Sequence, residues 1–169
     1  MPKTTAIVIA PKNFQEEELQ VIRDLLRWYG IRTLVVAKTR GLAVGSRGTE
    51  LEPDLAIGEL AAQPVDALVF VDGEGIVDYY DDLAVYRAIH QAQLGRKILA
   101  AINDAPLVLA NAGALIGRTV TAAPAHEQLL RSRGARYTGM PLEVDQQIIT
   151  AQAGMADAFA NRIAYLLGA

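Results

Sequence analysis

A repeated alternation narrows the fold more than any other feature of this chain. Short apolar runs recur, broken by polar or turn residues and mostly followed by a segment with helical spacing. Residues 4–10, 31–37, 65–71 and 97–102 are such runs, rich in Val, Ile, Leu and Ala. Their length and near-continuous hydrophobicity suit strands covered on both faces. After the first run, Asn13 and Glu16 have the spacing of a helix capping box. Leu19, Ile22, Leu26 and Tyr29 then recur at helical spacing, with Val21, Leu25 and Trp28 beside them, and Gly30 predicts the stop. Strand, helix and strand in this order require a parallel pair with a right-handed crossover.

The remaining segments extend the pattern. The Gly, Ser and Pro residues of 38–58 predict short strands or an excursion at the sheet edge. A helix is expected over 81–94, with Leu83, Tyr86, Ile89 and Gln93 along one side. Another should run from Pro106 to about Leu115, capped by Asp104. A short helix over 127–133, a late strand or hairpin over 143–151 and an amphipathic helix over 155–167 complete the chain. The predicted fold class is α/β, a three-layer α/β/α sandwich on a flavodoxin-like, mostly parallel sheet, as one domain over 1–169.

Composition removes whole classes of chemistry. The chain has no cysteine, which excludes disulfides, thiolate zinc sites and thiol nucleophiles. A net charge of −3, with no Lys/Arg-rich stretch, argues against nucleic acid as a partner. No apolar segment reaches the roughly 20 residues a bilayer span needs. The opening Met-Pro-Lys-Thr-Thr lacks a signal-peptide pattern, so the expected location is the cytoplasm, with no membrane partner.

Open α/β sheets bind ligands beyond the carboxyl ends of their strands. Three such ends carry polar residues here: the loop before Glu16-Glu17-Glu18, the Asp72-Gly73 turn after 65–71, and Asn103-Asp104 after 97–102. These should meet at one crevice. The tight strand–turn–helix at 101–106 presents its turn residue above the sheet, and Asn tolerates the positive φ such a turn uses. Asn103 is therefore either a turn requirement or a site residue.

At this elbow the chain resembles the DJ-1/PfpI (ThiJ) superfamily of the class I glutamine amidotransferase-like fold. The resemblance rests on Asn13 through Leu19, on Val65 through Phe70 leading to Asp72-Gly73, on Gly95 through Ile102, and on Pro106 through Arg118. Thr121, Pro124, Val144-Asp145 and Ile149-Thr150 also fit it. The family signature Ala-Ile-Cys-His-Gly-Pro here reads Ala101-Ile102-Asn103-Asp104-Ala105-Pro106. The resemblance thus implies that Asn103 stands at the nucleophilic cysteine position and Asp104 at the neighbouring histidine. It places Val77 where one branch takes a glutamate from a neighbouring subunit. Glu18 matches the conserved first-loop glutamate and is expected to accept a hydrogen bond from the Asn103 amide. Its other reading is a solvated first-turn glutamate that suits the helix dipole.

Two functional readings follow. The first is a member lacking the catalytic cysteine, acting as a small-molecule-binding or interaction module without protease, glyoxalase or deglycase activity. The resemblance implies a homo-oligomer, dimer or hexamer. The second is a hydrolase or lyase using Glu18, Asp104 or His126. A lone loop histidine such as His126 is otherwise a surface residue, and His90 is expected on a helix face. The expected binding residues are Glu18, Asp72, Gly73, Asn103, Asp104 and His126. No cofactor is expected, because Gly73-Glu74-Gly75 lacks the third glycine of a dinucleotide fingerprint. Nor does any spacing demand a metal at Glu18, Asp72, Glu74 and Asp104. A pocket closed by Asn103 and Tyr79 or Tyr80 would favour the first reading. An open pocket holding a carboxyl of raised pKa would favour the second.

Overall fold

A computed structural model describes residues 1–169. In chain order the strands and helices begin with β1 (Thr4–Val8), β2 (Lys12–Phe14), α1 (Glu16–Trp28) and β3 (Arg32–Ala37). Next come β4 (Ala43–Gly45), β5 (Glu50–Leu51), β6 (Leu55–Ala56), β7 (Ala67–Phe70), α2 (Leu83–Leu94) and β8 (Ile98–Ile102). The chain finishes with α3 (Pro106–Asn111), β9 (Thr119–Val120), α4 (Glu127–Ser132), β10 (Arg136–Tyr137), β11 (Leu142–Asp145), β12 (Ile148–Ala151) and α5 (Ala156–Leu166).

Seven strands form the main sheet in the order β11-β12-β8-β7-β1-β3-β6. All pairings in it are parallel except the β11–β12 hairpin. Side chains alternate between the two faces, as a pleated strand requires. Ala6, Val8, Leu68, Phe70, Leu99 and Ala101 pack with α2, α3 and the segments that follow. Ile7, Ile9, Val69, Ala100, Ile102, Ile149 and Ala151 pack with α1 and α5. The apolar runs are continuous because both faces are covered, which gives the expected three layers.

Several local expectations are corrected. Asn13 and Glu16 form no capping box: 12–14 is a short strand paired with β4, Gln15 precedes the helix, and Glu16 takes the Arg47 amide and the Thr49 hydroxyl instead. The inner face of α2 is Val85, Ala88, Ile89 and Ala92, while Leu83 is exposed. Of the expected stripe, Ile89 is fully buried and Tyr86 packs against the core, while alanines supply much of the rest of the buried face. Asp82 caps this helix, accepting from the Ala84 and Val85 amides. The helix after the elbow ends at Asn111, and Gly113 turns the chain with φ 80°. Residues 74–79 form a 3-10 turn that no periodicity announced.

That turn is tied to the sheet. The Tyr79 hydroxyl, fully buried, donates to the Ile9 carbonyl at 2.7 Å. Removing it leaves a buried carbonyl without this donor. Tyr79→Phe is expected to cost about 1–3 kcal/mol in urea unfolding without changing the slope of the transition. An unchanged midpoint would mean that this bond does not anchor the turn.

Candidate functional site

The site assembles where β1, β7, β8 and β12 end. Val71 N–H still bonds the Val8 carbonyl, but the next amide, Asp72, lies beyond the strand ladder. It donates to Glu18 Oε1 at 2.7 Å. The Asp72 carbonyl in turn accepts the Gln15 amide at 2.9 Å, at the start of α1. Gly73 closes the junction: a Cβ there would lie 2.4 Å from the Asn13 carbonyl oxygen and 2.7 Å from Phe14 Cα. Only glycine permits that approach.

The elbow follows β8. Asn103 has φ 59°. Its amide bonds the Ala151 carbonyl and its carbonyl accepts the Ala123 amide, both at 2.8 Å. The side chain donates through Nδ2 to Asp72 Oδ2 at 2.7 Å. The expected direct bond from Asn103 to Glu18 is therefore not formed. Asp72 stands between them, giving its amide to Glu18 and its carboxylate to Asn103. Asp104 does not cap α3 either; Ala105 occupies the cap position, and Asp104 Oδ1 pairs with His126 Nε2 at 2.9 Å.

Glu18, Asp72 and Asn103 line one cleft of about 540 Å³, together with Gln15, Glu17 and Val21. Its far wall is Ala153, Gly154, Ala156 and Asp157. An adjoining hollow of about 270 Å³ shares Asp72 and Gln15 and adds Gly73, Glu74, Asp104, Asn13 and Ser46. His126 lines neither, reaching the site through Asp104. Val77 is exposed on the 3-10 turn. Tyr79 is inside the core and Tyr80 is half-buried, so neither closes the cleft. His90 meets the Ala112 carbonyl through Nε2 at 2.7 Å. The 153–157 wall was missed by sequence reading. It too follows the carboxyl end of a strand, β12, and the same sheet-edge rule would have found it.

The electrostatics are acidic. Glu18 is only 8% exposed. Burial pushes its carboxyl up to about 8, the charges of Asp72 and Asp104 add to the rise, and the Asp72 N–H opposes it. Burial also raises the Asp72 carboxyl, against the stabilising Asn103 amide. Tyr80 is pushed up to about 12 by burial and by the nearby charges of Asp104 and Asp72. Near neutrality Glu18 thus carries a proton. Its Oε2 has no partner within the protein and opens into the cleft. The open cleft and the raised carboxyl are the features that speak for acid–base chemistry. The elbow itself, Ala101 to Pro106, carries no thiol or hydroxyl.

The burial of Glu18 has a consequence for stability. Between 4.5, its ordinary value, and about 8 the folded chain holds a proton that the unfolded chain has released. Stability therefore falls as pH rises through this window, and above it the full cost, about a few kcal/mol, is present. Glu18→Gln keeps an acceptor for the Asp72 amide without the charge. Urea melts are expected to show the wild type losing stability relative to this variant from about pH 5 to about pH 8. A difference that stays constant across the window would refute the assignment.

Comparison with known proteins places the chain by sequence and by fold. The sequence pattern of the DJ-1/PfpI family matches residues 3–166. An uncharacterized protein of Methanocaldococcus jannaschii, MJ0967, is 32% identical over 149 residues, covering 86% of this chain and 73% of its own. Protein dj-1beta of Drosophila melanogaster is 29% identical over 167 residues, 97% of this chain and 89% of its own. The crystal structure of a ThiJ/PfpI domain protein from Brachyspira murdochii superposes with a TM-score of 0.93 at 28% identity, covering 99% of this chain and 98% of that one. With nearly its whole length matched in sequence and in fold, this chain belongs to the DJ-1/PfpI family.

Proposed function

We propose that this protein is a DJ-1/PfpI family member without thiol chemistry that binds a small molecule in the cleft between α1 and the elbow. The observation that carries this reading is Asn103. By the family resemblance it stands at the nucleophile position of the elbow, and its side-chain amide is committed to Asp72. An amide neither titrates nor attacks, but it orients neighbours and donates to a ligand. The open cleft favours a small-molecule site over a purely structural module. Glu18, Asp72 and Asn103 form its wall, and Gly73 and Asp104 border the adjoining hollow. His126 positions Asp104.

The open cleft with its raised carboxyl is the arrangement expected of a second reading. Glu18 holds a proton near neutrality and turns a free oxygen into an open cleft, as a general acid does. On that reading the protein is a hydrolase or lyase, with Asp104 or His126 as the accompanying group.

The two are separated by activity. Under the first, the purified protein consumes methylglyoxal no faster than a Glu18→Gln, Asn103→Ala double variant, and consumption above that level overturns it. Under the second, turnover of a small ester or hydroxy acid disappears in Glu18→Gln and declines as pH rises through about 8, as expected for a required protonated acid.

A cytoplasmic homo-oligomer, dimer or hexamer, belongs to the same proposal. No helix is long and apolar enough to cross a membrane. Trp28 on α1 and Tyr165 and Leu166 on α5, which packs beside it, leave exposed apolar surface suited to a second copy. Light scattering after gel filtration is expected to give at least a dimer mass; a monomer would remove this part of the proposal.

A further inference from the structure

We infer that the ligand of this cleft is a small organic cation, an ammonium or guanidinium group on a short aliphatic chain, whose charged end meets Glu18 Oε2. The inference rests on the reading of the cleft as a binding site and adds the ligand class to it.

Charge gives the first argument. Glu17, Glu18, Asp72 and Asp157 line the cleft, and Asp72, Glu74 and Asp104 line the hollow beside it. No Lys, Arg or His lines either space. An anionic ligand would meet only acids there, without a compensating cation. Some of these charges are already matched. Arg47, on the loop between β4 and β5, pairs with Glu17 at the rim, and His126 pairs with Asp104. Asp72 gives Oδ2 to the Asn103 amide, and its Oδ1 is buried without a side-chain partner. What remains for a ligand is chiefly Glu18, together with Asp157 and Glu74.

Glu18 itself gives the second and independent argument. More than nine-tenths of the residue is buried, one oxygen is held by the Asp72 amide, and the other is unpartnered and opens into the cleft. With Oε1 taken by the Asp72 amide, Oε2 carries the proton while Glu18 is neutral and becomes a fixed acceptor for a cation's N–H groups once that proton leaves.

Shape separates an organic cation from a metal ion. No three of the chain's acids and histidines converge closely enough to coordinate a metal. The acids follow the walls, and Val21, Ala153 and Ala156 lie among them. That arrangement suits methylene groups ending in a charge that donates hydrogen bonds. The space, about 540 Å³, has the size of an ordinary small-molecule site.

Proton linkage makes the proposal specific. Facing Glu18 are Asp72 at the end of β7, Asp104 on the elbow, Glu17 on its own turn and Asp157 on α5. Arg47 acts only through Glu17, and His126 only through Asp104. A cation arriving at Glu18 displaces the proton the carboxyl holds near neutrality, so binding releases a proton and tightens as pH rises through about 8.

The test is calorimetry on the full chain with agmatine, which carries both cationic groups, and with butyrate and butanol as anionic and neutral probes. Agmatine is expected to bind roughly tenfold or more tightly at about pH 8 than at about pH 6, with proton release read from buffers of different ionisation heat. Glu18→Gln should remove that pH dependence and weaken binding at about pH 8 by roughly tenfold. Its fold is checked by circular dichroism, and Glu18→Asp serves as a second variant that keeps the charge while moving it. Agmatine that fails to bind, or binds Glu18→Gln with an unchanged pH profile, overturns the proposal. If butyrate or butanol then binds in a manner lost in Asn103→Ala, the cleft reading stands and only the cation class falls. If no probe binds, both fall. Saturable Ca²⁺ or Mg²⁺ binding that Glu18→Gln abolishes, without agmatine binding, also overturns the organic cation.

Discussion

One backbone amide organises the functional end of this molecule. Asp72 N–H lies just past the last ladder bond of its strand, where a buried donor without a partner would cost about 1–3 kcal/mol. Glu18 supplies the acceptor, and the requirement for one holds that carboxyl in its buried place. The same residue returns its carbonyl to the start of α1 and its carboxylate to the elbow. Three segments far apart in sequence are thereby held in one register. Glu18 and Asn103, which the site brings close, are coupled through Asp72 rather than directly.

The layers of the fold were legible because their cause is local. A strand buried on both faces must be apolar at every position, and 4–10, 31–37, 65–71 and 97–102 say so without help from the rest of the chain. The hairpin over 143–151 was legible for the same reason. Faces were harder. The inner side of α2 rests on Ala88 and Ala92, small residues whose burial depends on how closely the sheet approaches. Side-chain hydrogen bonds were hardest. Asn13 with Glu16, and Asp104 before Pro106, had the spacing of caps, yet each acid found a partner elsewhere in space: Thr49 and the Arg47 amide for Glu16, His126 for Asp104. Competition from distant partners leaves no trace in a short sequence window. The crevice was read correctly as a meeting of strand ends, while its 153–157 wall went unread because that segment carries just one charged residue, Asp157.

Clustering acids at a partly buried place has an energetic cost that the core must offset. Glu18 and Asp72 are both shifted upward, chiefly by burial; the charges of Asp72 and Asp104 add to the rise at Glu18, and that of Asp104 to the rise at Asp72. Packing alone does not ask for such a pair, since an apolar residue at position 18 would fill the same space without the charge. A glutamine there would even keep the bond from the Asp72 amide. An ionisable group where ionisation is penalised makes the site respond to pH near neutrality, as neither an apolar residue nor a glutamine would.

The elbow supports the same conclusion from the backbone side. With φ at 59°, position 103 would accept glycine with less strain than any residue bearing a side chain. Asparagine tolerates that conformation, but tolerance alone does not account for its side-chain geometry. Nδ2 is directed at Asp72 Oδ2, and this bond is what keeps one oxygen of that carboxylate occupied beside Glu18. If the turn were the whole reason for the residue, the amide would have no need of an acid partner. On the proposed reading, the elbow serves to orient a carboxylate, and chemistry there draws on charge and proton position rather than on a thiol.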